Sequence, residues 1–314
     1  MQLDSVQWVQ EQYRTPANLS ARIRLHERFS TNPYRWPLWV FDHLRLGPAA
    51  QVLEVGCGPA ALWEANRNRI PPGWRLVLTD RSLGMIRQAA TVLAGLPNAT
   101  FGLADAQQLP FADGLFDALI ANHMLYHVPD RARALAEFRR VLRPGGRLFI
   151  ATNGAGHLRQ IHELARRYAP EQVQETWPPE SFTFEQGHEE IGRSFEQVML
   201  HRYDNRLIVT DADALADYML SGALFRAPVE EHEALRRWLR AELARAGHIE
   251  IASETGLFEA VRPAQEAPPA PTGEATAGAQ SVASPEHPTP RRRTARKRKG
   301  KATPKPAESS PPED

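Results

Sequence analysis

Between Gln51 and Thr152, short apolar runs alternate with helix-like segments, and nothing else in the chain narrows its fold as much. QVLEV (51–55), WRLVLTD (74–80), ATFGLAD (99–105), FDALIAN (116–122) and GRLFIAT (146–152) read as strands. AALWEANRNR, SLGMIRQAATVLAG and DRARALAEFRRVL read as the helices between them. Several of these strands are apolar at almost every position, the pattern of strands covered on both faces rather than one. Strands joined by helices imply parallel pairing, and right-handed crossovers then build a doubly wound α/β domain.

The flanking segments differ. Residues 1–46 read as a helical N-terminal cap. Ser20 is expected to cap one helix carrying Ile23, Leu25 and Phe29, with a second running through Trp36, Trp39, Val40 and Leu44. Residues 47–152 form the core, and 153–262 the remainder of the domain, with helices over 155–170 and 211–246 covering an acceptor. FEQVMLHRY (195–203) is a strand, RLIV (206–209) extends or follows it, and IEIASETGLFEAV (249–261) is a strand or hairpin. With no clear crossover helix before 195–203, an antiparallel addition at one sheet edge is expected.

Composition closes off several classes. No run approaches the ~18 apolar residues that span a bilayer. The polar start MQLDSVQWVQEQYRTP has no secretory core, so a cytoplasmic protein without membrane contact is expected. Cys57 is the single cysteine, which excludes a disulfide within the chain, and no metal site is expected. Residues 263–314 hold nine Lys/Arg against six Asp/Glu and lack Leu, Ile, Phe, Trp and Tyr. Such a segment has little to bury and is expected to be a disordered tail.

VLEVGCGPAA (52–61) carries the chemistry. Gly56, Gly58 and Ala61 fit the glycine spacing of a dinucleotide-binding loop. In doubly wound sheets such a loop lies at the carboxyl ends of the strands, where ligands bind. Pro59 suits the first turn of the following helix. Asp80 ends the next strand, 22 residues after Gly58, where a carboxylate can accept both hydroxyls of a ribose. Those features suit NAD and S-adenosylmethionine alike. Glu54, two residues before Gly56, separates them. A carboxylate there repels a pyrophosphate and attracts an ammonium and a sulfonium.

LEVGCGPA (53–60), LTDRSLGMI (78–86), LADAQQLPFADGLFDALIANHMLYHVPD (103–130) and FRRVLRPGGRLFIAT (138–152) together resemble the class I S-adenosylmethionine-dependent methyltransferases. The nearest likeness is to the ubiquinone/menaquinone and small-molecule members. The resemblance covers residues 50–152 and implies a seven-stranded Rossmann-like sheet with S-adenosylmethionine as cofactor. One departure is Ala60, where the family often has a third glycine; its small size should still permit close backbone approach. By resemblance Glu54, Gly56 and Gly58 hold the methionine portion, with Cys57 between them. Asp80 takes the ribose, with Arg81 adjoining, and Ser82 and Met85 flank the adenine and ribose. Asp105 and the backbone of Ala106 bond the adenine, and Asn122 lines the donor pocket near the methyl group. Each has a plainer reading too. Cys57 can be loop filler, Met85 a packing residue and Asp105 an Asx turn. Asp117 and Arg143-Pro144-Gly145-Gly146 are read as structural.

His123, Tyr126 and His127 follow the fourth strand and are the candidate catalytic residues. His127 has the unperturbed pKa of a general base, but an ordering role before Pro129 is the preferred reading. Asn32-Pro33-Tyr34 resembles an amino-methyltransferase motif at the wrong place in the chain and is discounted. The expected acceptor is a small molecule. Its pocket draws on the aromatic and histidine residues Tyr34, Trp36, Trp39, His157, His162, Tyr168, Trp177, Phe182, Phe184, Tyr218 and Phe225, many of which can equally be core. The run RRRTARKRKGK (291–301) raises an alternative, an RNA-directed or nucleic-acid-associated protein with weak, salt-sensitive contact. It lacks interleaved aromatics for base stacking, and the folded part carries about −2 by subtraction of the +3 tail from the net +1.

Overall fold

The computed structural model describes residues 16–173, 182–221 and 228–264. The basic run 291–301, the tail from 265 onward, Trp177 and Phe225 lie outside the described residues.

Nine strands are present among the described residues: β1 (Gln51–Val55), β2 (Arg75–Asp80), β3 (Ala99–Leu103), β4 (Phe116–Asn122), β5 (Leu142–Asn153), β6 (Glu196–Tyr203), β7 (Arg206–Val209), β8 (Ile249–Ala252) and β9 (Thr255–Val261). Seven make one sheet in the order β3-β2-β1-β4-β5-β9-β6. The first five pair in parallel, with Leu53 opposite Val77 on one side and Leu119 on the other. β1, β2 and β4 follow the predicted runs closely, because burial leaves a nearly continuous apolar signal; β3 has no buried position, and β5 begins four residues before the predicted run.

Alternate residues of each strand enter different cores. Leu53, Val55, Leu119, Ala121, Leu148 and Ile150 face α5 (Arg131–Val141) and α7 (Phe184–Gly192). Val52, Ala118, Ile120, Phe149 and Ala151 face α2 (Trp36–His43), α3 (Ala61–Ala65) and α4 (Leu83–Val92). A third core lies apart from the sheet. It joins α1 (Pro16–Phe29), α6 (Arg159–Tyr168), α8 (Ala212–Leu220) and α9 (His232–Ala246) to the β7–β8 pair through Leu25, Ile161, Leu215, Leu239, Leu207 and Ile251. The two predicted N-terminal helices thus serve different cores. Between them Asn32 accepts from the Tyr34 amide at 2.9 Å, so Asn32-Pro33-Tyr34 is a turn. Because α1 starts at Pro16, Ser20 lies inside it and does not cap it.

The predicted mostly parallel sheet with one antiparallel strand is present, but that strand is β9, one place in from the edge. β9 runs antiparallel to both β5 and β6, so the edge strand β6 is parallel to the first five. The unpredicted α7 carries the chain across the sheet before β6; its sequence, FEQGHEEIG, gives a weak helical pattern behind a Pro-containing loop. The run 249–261 is two strands in two sheets, broken at Ser253-Glu254. Asp117 and Arg143 are structural, as predicted. Asp117 accepts from the Gln51 amide at 2.6 Å and pairs with Arg143 at 2.6 Å, tying the starts of β1, β4 and β5 together.

Helix α7 approaches β9 through Gly187, where a Cβ would lie 2.5 Å from the Phe258 ring and 3.2 Å from that of Phe182. Alanine at an unconstrained helical position is worth about 1 kcal/mol over glycine. Here overpacking should reverse the sign, so Gly187→Ala is expected to destabilise the protein by about 1–3 kcal/mol in urea unfolding.

Candidate active site

The loop after β1 makes three left-handed backbone turns in five residues, at Gly56 (φ 69°), Gly58 (φ 53°) and Ala60 (φ 64°). Gly56 has no room for a side chain, since a Cβ would sit 2.7 Å from Cβ of Met124. Gly58 is the opposite case: a Cβ there meets nothing within 4 Å. It lines open space at the carboxyl end of the sheet, where a ligand can come against bare backbone. Ala60 holds a conformation that costs an L-residue roughly 1–2 kcal/mol, which explains why glycine is favoured there. Helix α3 begins only at Ala61, so Pro59 precedes the cap and is not the first helical residue.

Glu54 is 2% exposed, an extreme position for a carboxyl group. Its Oε2 accepts a hydrogen bond from the indole N–H of Trp63 at 2.6 Å. Burial pushes its pKa up to about 8, against the pull of the Trp63 bond and with a further push from Asp80. In the sequence Glu54 reads as a standing negative charge; in the fold, burial favours its neutral form. Trp63 gives no sign of this role in the sequence, since only the turn into α3 brings it back over β1.

Asp80, at the end of β2, is half-buried. Its Oδ2 accepts from the Gly58 amide at 3.0 Å and its Oδ1 from the Ser82 amide at 2.8 Å. Burial raises its pKa, and those amides oppose the rise. The carboxylate therefore braces the glycine loop while keeping further lone pairs for a ligand. Ser82 caps α4 by accepting from the Met85 amide at 3.4 Å, and Met85 is buried. Arg81 is exposed and reaches Asp105 Oδ2 at 4.0 Å.

Asp105 follows β3 and forms the Asx turn given as its plainer reading, with Oδ1 accepting from the Gln107 amide at 2.9 Å. Burial pushes its pKa up, but the Gln107 bonds and nearby Arg81 outweigh it and hold the carboxyl below its ordinary value. The side chains of Cys57 and Ala106 enter the two sheet cores, leaving only their backbone to face a ligand. Burial, with Glu54 and Asp80 close by, pushes the Cys57 thiol up, so it is no nucleophile.

Asn122 ends β4 and accepts from the indole of Trp36 at 3.3 Å, which brings α2 over this end of the sheet. Trp36 packs within 5.2–5.3 Å, centroid to centroid, of Trp39, His123 and Tyr203. His123 is left-handed (φ 56°), and burial lowers its pKa to about 4, helped by His26. Tyr126 packs against the core under α5, and His127 lies edge-on to it at 4.5 Å. Of the three catalytic candidates, His123 packs on Trp36, and Tyr126 lies 6.4 Å from the His123 ring, centroid to centroid. His26 and Tyr203 do not show in the sequence as neighbours of Trp36 and His123, because no local spacing connects α1 or β6 to β4.

Residues 53–150 match a family model described as a methyltransferase domain. A 37.1 kDa protein of a Streptomyces fradiae transposon is 39% identical over 111 residues, which is 35% of this chain and 32% of that protein. The methyltransferase GfsG of Streptomyces halstedii is 36% identical over 115 residues, 36% of this chain and 41% of its own. The chain thus spans about a third to two fifths of the length of these relatives. The crystal structure of the [4+2]-cyclase SpnF covers 82% of this chain and 97% of its own, with a TM-score of 0.52 at 19% identity, a likeness of fold alone. The similarity to methyltransferase domains thus falls on residues 53–150, the segment that holds the glycine loop, Asp80 and Asp105.

Proposed function

We propose that the protein is a methyltransferase that uses S-adenosylmethionine to methylate a small organic acceptor. One observation carries the reading. Within the matched segment, the carboxyl ends of three adjacent parallel strands present Glu54, Asp80 and Asp105 around a glycine loop whose Gly58 faces open space. That donor set suits a ligand with cationic and hydroxyl groups and disfavours one with phosphates. When bound, S-adenosylmethionine supplies a methyl group on a cationic sulfur.

The chain's own residues bind, orient and exclude water. Gly56 and Gly58 let backbone approach the methionine end, and Glu54 supplies the counter-charge from below. Asp80 accepts the ribose hydroxyls. Ser82 and Met85 flank the ribose and adenine, while Asp105 and the Ala106 amide bond the adenine edge. Asn122, tethered to Trp36, places α2 as a roof that keeps water from the transfer. Tyr126 and His127 stay with the ordering role. The proposed acceptor is a small molecule, and the proposed place of action is the cytoplasm, in keeping with a buried free thiol at Cys57. No helix among the described residues is long and apolar enough to cross a membrane.

Calorimetric titration with S-adenosylmethionine is the direct test, and no binding would overturn the proposal. Removing the ribose acceptor by Asp80→Asn should weaken binding about 10–100-fold, the worth of a charge-assisted hydrogen bond. Glu54 makes the binding pH-dependent. Its folded pKa of about 8 lies above the ordinary 4.5, so it is mostly protonated at pH 7. The stability linked to its neutral form is full below the ordinary value and is lost as pH rises through the folded one. A cation favours the ionised form, so donor binding at pH 7 should release protons and tighten as pH rises towards 8. Calorimetry in buffers of different ionisation enthalpy measures that release, and Glu54→Gln should abolish Glu54's share. A chain ending at Ala264 should methylate its acceptor as fast as the full chain; loss of transfer would instead point to the basic run.

A further inference from the structure

A cavity of about 350 Å³ opens where the start of α6, the β7–β8 pair and the break before β9 meet. No residue of the proposed donor cradle lines it. Its volume is at the low end of small-molecule pockets, which run to roughly 300–1,000 Å³ and are mostly apolar. Here every lining residue except Ala252 is polar or charged, so the cavity suits a small ligand that is polar throughout.

Strand alternation brings the charged groups together. Arg206 lies opposite Ala252, and Ile208 opposite Glu250, across β7 and β8. The period that buries Leu207 and Ile251 in the third core turns Arg206, Glu250 and Ala252 to the other face. There Arg206 and Glu250 are diagonal neighbours and pair at 2.9 Å. Helix α6 docks alongside: Gln160 Oε1 accepts from the Ala252 amide at 2.9 Å, which leaves its own N–H groups to donate. Asn205 Oδ1 accepts from the Ser30 hydroxyl at 2.7 Å and the Asn32 amide at 3.2 Å. Its Nδ2 reaches the buried Ser253 hydroxyl only at 3.5 Å. The Glu254 carboxylate accepts from the Gly156 amide at 3.1 Å, and a Cβ at Gly154 or Gly156 would lie 2.4 Å from it. The turn after β5 thus fixes that carboxylate in place.

The charges lining the cavity do not all cancel. Arg206 and Glu250 neutralise each other. Arg159 is exposed and has no hydrogen-bond or ion-pair partner for its side chain among the described residues. Glu254 meets an amide but no cationic side chain among them. One cation and one anion therefore remain. A simple anion would gain Arg159 and be opposed by Glu254, and a simple cation would meet the reverse. A small zwitterion answers both poles. A guanidinium holds a carboxylate through two parallel hydrogen bonds, and an ammonium brings three donors to a carboxylate with lone pairs to spare. In a free amino acid those two groups sit on one carbon, within a volume this cavity can hold.

We propose that the cavity is a binding site for a free α-amino acid, with its carboxylate on Arg159 and its ammonium on Glu254. The site stands apart from the donor cradle and does not depend on the methyltransferase reading. Glu254 holds the turn after β5, and Asn205 holds the turn that leads into α2. An amino acid bound here therefore bears on two segments beside the aromatic roof.

The test screens the full chain against the common L-amino acids by thermal shift and titrates the strongest ligand by calorimetry. At least one amino acid should raise Tm and bind one to one. Its carboxamide and its N-acetyl derivative each lack one charge and should bind about 10-fold or more weakly, the worth of a charge-assisted hydrogen bond. Arg159→Met should weaken binding by a similar factor without changing the Tm of the free protein. Glu254→Gln keeps an oxygen for the Gly156 amide and should do the same; if it does not fold, the N-acetyl derivative carries that arm. Amide exchange at Gly156 and Asn32 should slow when the amino acid is bound. Saturating S-adenosylhomocysteine should leave the affinity unchanged. The inference is overturned if no amino acid binds, if either derivative binds as tightly, or if Arg159→Met keeps the parent's affinity. Competition by S-adenosylhomocysteine would also overturn it, by placing the amino acid in the donor cradle.

Discussion

A strand covered on both faces has little tolerance for a carboxyl group, yet β1 places Glu54 there between Leu53 and Val55. The Trp63 indole makes this possible by donating to Oε2. That bond ties the start of α3 to β1 and so sets the exit of the glycine loop. Asp80 holds the same loop from β2 through the Gly58 amide. The loop is therefore shaped by two acids: burial favours the neutral form of Glu54, and backbone amides brace Asp80 with lone pairs to spare.

The sheet carries the cradle, but the roof comes from elsewhere. Trp36 reaches Asn122 from α2, and Tyr203 reaches Trp36 from the far edge of the sheet. The Tyr203 hydroxyl donates to the Tyr34 carbonyl at 2.6 Å, fixing the turn that leads into α2. The third core, with its own helices and the β7–β8 pair, brings His26 against His157. The [4+2]-cyclase SpnF shares this fold at 19% identity, so the fold by itself does not fix an activity.

Strand positions were legible where burial was extensive, as in β1, β2, β4 and most of β5, because most buried positions there are apolar. The glycine loop and the acids Asp80 and Asp105 were legible because their spacing is local and their chemistry specific. Helix α7 was not, since FEQGHEEIG is short and its Gly187 serves a contact with Phe258 and Phe182 that only packing explains. The place of β9 inside the sheet was hidden for a similar reason: 249–261 reads as one apolar run although Ser253-Glu254 divides it between two sheets. The Trp63 and His157 partners were invisible because they are made across many residues of intervening chain.

By itself the sequence determined the class of fold, the positions of its first five strands along the chain, and the glycine loop and acids at the carboxyl end of the sheet. Those are properties of local periodicity and short spacing, which a chain carries before it folds. Only the tertiary structure decided that Glu54 is buried against Trp63, that the roof is aromatic, and that His157 Nδ1 has no hydrogen-bond partner among the described residues. Those depend on which surfaces exclude water from which groups. Desolvation is set by neighbours distant in sequence, so it comes into being only when the chain has closed around the site.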